Sequence, residues 1–223
     1  MATFGPVNPD RDTLIESVNT TYNYGQRNTL WLDWFNPGGA RAMLAWDVSS
    51  IPVGNIVSSA TLSFVIQSNG LSGATGYHAC AMRTADSGDS VFVEGSGTGS
   101  ATGDGATWES FDGTYSWTTA GAEDDFVSPG SAFTVTTGET TKSIDVKIAI
   151  QDALDSYRDS SGLIALLLKR DNESGSSQTL RFWSNQAVNP ANRPLLTIVH
   201  SAPVSRRGVS MPIIRRRRSN FAR

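Results

Sequence analysis

Cysteine is almost absent: Cys80 stands alone, which excludes an internal disulfide framework and any multi-cysteine metal site. Histidine is nearly as scarce. His78 and His200 are the only two, and neither lies in a nucleophile-elbow or metal-hydrolase motif. Hydrolysis by paired carboxylates needs two acids about 5–10 Å apart, and no spacing along this chain singles out such a pair. These absences argue against an enzyme. No run approaches the roughly 20 apolar residues that span a bilayer, so no membrane partner is expected. The first residues, MATFGPVNPDRD, lack a basic segment followed by an apolar core, so no Sec-type signal peptide is expected. Charged residues make up only 17% of the chain.

Glycine, serine and threonine fill the gaps that charge leaves. The 21 glycines sit mostly between short apolar runs, a pattern of many turns and therefore of an all-β protein. The central stretch is Ala40–Gln67. In Ala40–Asp47 the residues Ala42, Leu44 and Trp46 share one face at period two. In Thr61–Gln67, Leu62, Phe64 and Ile66 do the same. Pro52 and Gly54 turn the chain between them. The stretch reads as a hairpin-like unit of two half-buried strands facing one core.

Other strand signals follow in order: Thr13–Ser17, Asn28–Trp34, Tyr77–Arg83, Val91–Glu94, Ala132–Thr137, Lys142–Val146, Leu163–Leu168, Leu180–Ser184 and Leu195–Val199. Leu163–Leu168 is continuously apolar, which predicts burial on both faces. Residues 1–11 read as an irregular lead-in, and GSGTGSATGDGA (95–106) as a loop too poor in apolar residues to pack. One segment has a helical period. Val146, Ala149, Ile150, Ala153, Leu154 and Tyr157 form a single stripe, and Asp145 suits the N-cap. The predicted fold is a two-sheet antiparallel β-sandwich of jelly-roll type over 12–200. One short helix, about 146–157, covers an end of it, and an extended arm follows at 201–223.

Several motifs occur in a fixed order: NYG (23–25), RAMLAWDVSSIP (41–52), SATLSF (59–64), EGSGTG (94–99), GATWESFDGTYSW (105–117), LLLK (166–169) and FWSNQAVNPANRPLLTI (182–198). Together they resemble the DNRLRE domain family, which overlaps carbohydrate-binding module family 96. The resemblance covers about residues 10–200. It implies a non-catalytic jelly roll of secreted or surface proteins, some of which bind polysaccharide. Two positions depart from it: Ala45 stands where the family often has a basic residue, and Phe92 where it often has Trp.

Flat aromatic rings stack on pyranose faces, so Trp31, Trp34 and Phe35 are the candidate sugar contacts. Trp108 and Trp117 sit in the family's fold motif and read as structural. Glu123, Asp124 and Asp125 could help hold a structural calcium, but they read first as a solvated acidic loop. His78, Cys80 and Met82 share a strand face; they read as core rather than as a soft-metal site, because one strand closes poorly around a metal. No cofactor is expected.

The strongest asymmetry is electrostatic. Positions 1–200 hold all 21 acidic residues beside 11 basic ones, a net charge near −10, while the remaining seven arginines lie in 201–223. The tail offers Arg206, Arg207, Met211, Ile213, Ile214, Arg215, Arg216, Arg217, Arg218, Phe221 and Arg223 as assembly contacts. Pro203 and Gly208 oppose helix there, and 23 extended residues reach about 75 Å. A basic arm on an acidic body suits a structural surface protein of a large assembly: a phage capsid decoration, head-fibre or tail module present in multiple copies. Its partners would be other virion proteins, reached through the arm. A freestanding carbohydrate-binding or adhesion module is the alternative. Nucleic-acid contact through the arm ranks third, because the acidic body repels a polyanion.

Overall fold

The computed structural model describes residues 1–35, 38–84, 91–173 and 177–203, with Phe35 described by its backbone alone. Twelve strands and one α-helix appear in it: β1 (Ala2–Val7), β2 (Arg11–Glu16), β3 (Thr29–Trp31), β4 (Trp34–Phe35), β5 (Gly38–Asp47), β6 (Ile56–Asn69), β7 (Thr75–Ala81), β8 (Ser131–Val135), β9 (Thr141–Asp145), α1 (Lys147–Ser156), β10 (Leu163–Arg170), β11 (Leu180–Trp183) and β12 (Leu195–Ser201).

The strands form two antiparallel sheets, giving an all-β two-sheet sandwich. One runs β1-β12-β6-β11-β3, with β9 also paired to β6. The other runs β2-β5-β10-β7-β8, with β4 paired to β5. Between them lies a continuous apolar core that includes Leu44, Trp46, Leu62, Phe64, Tyr77, Phe182 and Ile198. The Phe64 and Phe182 rings meet at 4.6 Å. Removing a large side chain from such a core costs roughly 2–5 kcal/mol.

Alternation places the Ala40–Gln67 strands correctly against this core, but they are not a hairpin. β5 and β6 belong to opposite sheets, so the turn at 48–55 is a corner from one layer to the other. β5 is also buried on both faces rather than half-buried. The reason is a second apolar cluster on the outer side of its sheet. Ile15, Met43, Ala45, Cys80, Met82, Ala165 and Leu167 point outward from β2, β5, β7 and β10 and the residue after β7. They are roofed by Val91, Phe92, Ala106, Phe111, Trp117, Ala122 and Phe126.

The roof is residues 91–127, and it contradicts the expectation that 95–106 cannot pack. Those residues bury little apolar surface themselves; a polar hub holds them instead. Asn23 is fully buried. Its Nδ2 donates to Glu94 O (2.7 Å) and Ala106 O (3.0 Å), and its Oδ1 accepts from Gly97 N (2.7 Å) and Gly25 N (3.2 Å). Val91–Glu94 is not a regular strand, although Val93 N donates to Phe111 O and Val93 O accepts from Ala106 N.

The lead-in also differs from expectation, because residues 2–7 form β1, paired with β12 through Ala2–His200 and Phe4–Ile198. The helix falls where its stripe predicts, burying Ala149, Ile150, Ala153 and Leu154. Val146 occupies the N-cap position, while Asp145 Oδ1 accepts from Lys147 N at 2.8 Å and so does the capping. The last described strand ends at Ser201, inside the span read as arm.

Candidate functional site

Three segments converge around Trp31. The residue itself is in β3, and Arg181 lies directly across from it in β11. Arg27 comes from the turn before β3. Both guanidinium groups rest on the indole, with Arg27 Cζ 3.9 Å and Arg181 Cζ 4.0 Å from the ring centroid. A planar cation against an aromatic face is favourable by about 0.5–2 kcal/mol. Trp31 Nε1 donates to Thr29 Oγ1, which fixes the ring's tilt.

The two arginines differ in their partners. Arg181 is clamped to the buried Asp33, with Nε at 2.8 Å and Nη2 at 2.7 Å from Oδ2. Asp33 Oδ1 accepts from Leu180 N, and burial raises its pKa even against Arg181. Arg27 has no carboxylate in ion-pair contact among the described residues. Burial lowers its pKa, and the neighbouring Arg181 pushes the same way. Tyr24 backs the group, 6.2 Å from Trp31, with its hydroxyl donating to Glu16. The result is a half-exposed aromatic carrying one cation whose charge is not spent on a carboxylate.

Trp31 is therefore not the bare sugar platform expected of it, since arginines already occupy its stacking surface. Trp34 is half-buried at the β4–β5 pairing, and its ring fills the space where a Cβ on Gly39 would sit, 2.6 Å from Trp34 Cε3. No ring contact joins Trp31 and Trp34 among the described residues. The Phe35 side chain lies outside the described residues. Trp117 is buried and donates from Nε1 to Thr107 O at 2.8 Å, the structural role its motif suggests. Tyr115 is 65% exposed and stacks on Phe111 with centroids 6.1 Å apart. Arg181 carries no signal in the sequence, because its register opposite Trp31 is set by non-local pairing; Arg27 and Asp33 are sequence neighbours of Trp31 that no motif marks.

A second polar region lies on the outer side of the other sheet. Arg41, nearly fully buried, donates to Gly121 O at 2.6 Å and to both oxygens of Glu173 at 2.8 and 2.5 Å. Its Nη2 also meets Glu123 at 2.5 Å, and Trp108 lies 5.0 Å from its Cζ. Burial alone would lower the Arg41 pKa, but Glu173 and Glu123 hold it above its ordinary value. Lys169 continues the chain, 3.2 Å from Glu123. Beside it opens a cleft of about 350 Å³ lined by Arg83, Glu123, Asp124, Phe126, Ser128 and Lys169.

The acidic trio does not converge on a common point. Glu123 serves Arg41 and Lys169, Asp124 accepts from Thr119 Oγ1, and Asp125 accepts from Thr118 N and Oγ1. A calcium held by these three would have to break all of those bonds, so the arrangement does not fit it. His78 Nδ1 pairs with Asp171 at 2.6 Å, while Cys80 and Met82 pack in the outer cluster. The arm residues Arg206, Arg207, Met211, Ile213, Ile214, Arg215, Arg216, Arg217, Arg218, Phe221 and Arg223 lie outside the described residues. No protein-family model and no curated protein sequence matches this chain.

Proposed function

We propose that this chain is a non-enzymatic surface module of a large assembly, namely a capsid decoration, head-fibre or tail module of a phage virion. In this reading the sandwich faces outward and 201–223 fastens it to other virion proteins. The observation that carries the proposal is the charge split: an acidic β-sandwich near −10, followed by seven arginines confined to the segment after the last core strand. An acidic body repels polyanions, so the arginines suit acidic protein grooves better than nucleic acid. The ordered motifs that resemble the DNRLRE family add support for a surface role. Deleting 206–223 should abolish incorporation into particles while leaving the sandwich folded. Normal incorporation of the truncated chain would refute the arm's role.

A second reading, a freestanding carbohydrate-binding or adhesion module, is favoured by the Trp31 group. An indole with Arg27 stacked over its ring presents guanidinium N–H donors for sugar oxygens beside an aromatic edge. On a glycan array, the full chain should bind at least one polysaccharide, and Arg27→Ala should weaken that binding at unchanged melting temperature. Equal binding by the variant would remove this face from consideration.

A further inference from the structure

Behind the glycine-rich roof, three residues with oxygen-bearing side chains come together from distant segments. Asp12 is in β2, Glu94 begins the roof loop, and Gln186 follows β11. Asp12 N donates to Glu94 Oε1 at 3.0 Å, and Gln186 Nε2 donates to the same oxygen at 2.7 Å. Asn185 N donates to Asp12 Oδ2 at 2.6 Å. Those donors are then spent. Asp12 is 1% exposed, and its Oδ1 has no hydrogen-bond partner among the described residues; the buried Oε1 of Gln186 has none either. A buried acceptor left unpaired costs about 1–3 kcal/mol, and more when charged. Two such acceptors flank one carboxylate.

We propose that Asp12, Glu94 and Gln186 form a calcium site. The donor set is oxygen only, from two carboxylates and one amide, which suits a hard cation and not zinc or copper. A cation would give Asp12 Oδ1 and Gln186 Oε1 the shared partner that both lack. Arg193 and Arg11 favour the charged forms of Asp12 and Glu94 from nearby, but neither is hydrogen-bonded to Asp12 Oδ1. Arg11 Nη1 donates to Phe92 O and Arg193 Nε to Ala187 O. The site is distinct from the Glu123–Asp125 loop, whose acids are committed elsewhere. It ties β2, the roof and the exit of β11 together, so a bound ion would stabilise only the folded chain. It does not depend on the function proposed above.

The test uses the full chain, stripped with a chelator and titrated with calcium chloride. Calorimetry should show one ion per chain. At a calcium concentration about 100 times Kd, the melting temperature should rise by roughly 5–10 °C. Asp12→Asn, which keeps the shape and removes the charge, should lose both effects; Asp124→Asn should keep them. Gln186→Leu provides a second variant should Asp12→Asn not fold, and it should weaken binding at least tenfold. Absence of calcium uptake by the stripped wild-type chain would overturn the proposal. So would unchanged binding in both site variants, or an equal thermal shift from magnesium.

Discussion

Asn23→Ala should unfasten the roof. The side chain has no exposed surface and makes four hydrogen bonds, two as donor and two as acceptor. Alanine leaves two carbonyls and two N–H groups without partners. At about 1 kcal/mol net for each bond, the loss is about 4 kcal/mol. Collapse cannot recover it cheaply. Gly95, Gly97 and Gly105 already approach Asn23 so closely that a Cβ on any of them would lie 2.5–2.6 Å from it. Water entering beside the exposed Ser96 offsets part of the loss, leaving about 3–4 kcal/mol. With a urea slope of about 2–3 kcal/mol/M, the midpoint should fall by roughly 1–2 M. Hydrogen exchange should show Gly97 N–H losing protection before the β-sheets do. Asn23→Asp keeps the acceptor but turns oxygen toward two carbonyls, and should cost at least as much. A loss below about 1 kcal/mol, or an aspartate tolerated like asparagine, would refute the claim that these bonds hold the roof.

Arg41→Met should cost about 2–4 kcal/mol, because it strands Gly121 O and the partly buried Glu173. Glu123→Gln should cost less than about 1 kcal/mol, since that carboxylate is 46% exposed; urea melts of both variants check the ordering. Burial pushes the Cys80 thiol up to about 11, so a disulfide-exchange reagent should leave it untouched at mildly alkaline pH and label it fully in urea. Burial, with Glu94 adding to it, raises the Asp12 carboxyl to about 8. The calcium-free fold then binds a proton that the unfolded chain releases near pH 4. The Asp12 contribution to stability is present below about pH 4 and is lost progressively as pH rises to about 8. Denaturation across that range should show a falling term in the wild type that Asp12→Asn removes. A parallel pH dependence in the two proteins would refute it.

The sandwich was legible wherever its evidence was local. The α1 stripe and the β6 alternation each lie within one element, and both predict burial correctly. β10 reads as doubly buried because its outward positions, Ala165 and Leu167, are apolar. β5 is equally buried but was disguised by Arg41, a charge that implies solvent until Glu173, Glu123 and Gly121 O are seen around it. β1 was hidden by Gly5 and Pro6. It is an edge strand, where a missing N–H is tolerated, and its register with β12 shifts between Phe4 and Val7. The packing of 95–106 within the roof escapes the sequence because that stretch is held by Asn23 and a set of backbone groups, a bonding scheme that apolar patterning cannot register.

The same distinction explains the candidate sites. Ala45 and Phe92 lie far apart in sequence but in one outer cluster. Ala45 faces Arg11 across the β2–β5 ladder, and Arg11 Nη1 donates to Phe92 O. A basic residue at 45 would enter an apolar, roofed layer beside an existing guanidinium, so a neutral small side chain at that point is what the packing requires. An indole in β3 presents a parallel case. Its spacing shows that it faces away from Leu30 and Leu32, but not what lies on its ring. The ring's neighbours are Arg181, placed by cross-strand register, and Arg27, placed by a turn. Whether such an aromatic meets sugar, cation or core is decided in part by a partner about 150 residues away, Arg181, through a pairing of the kind that loop closure makes and local sequence does not encode.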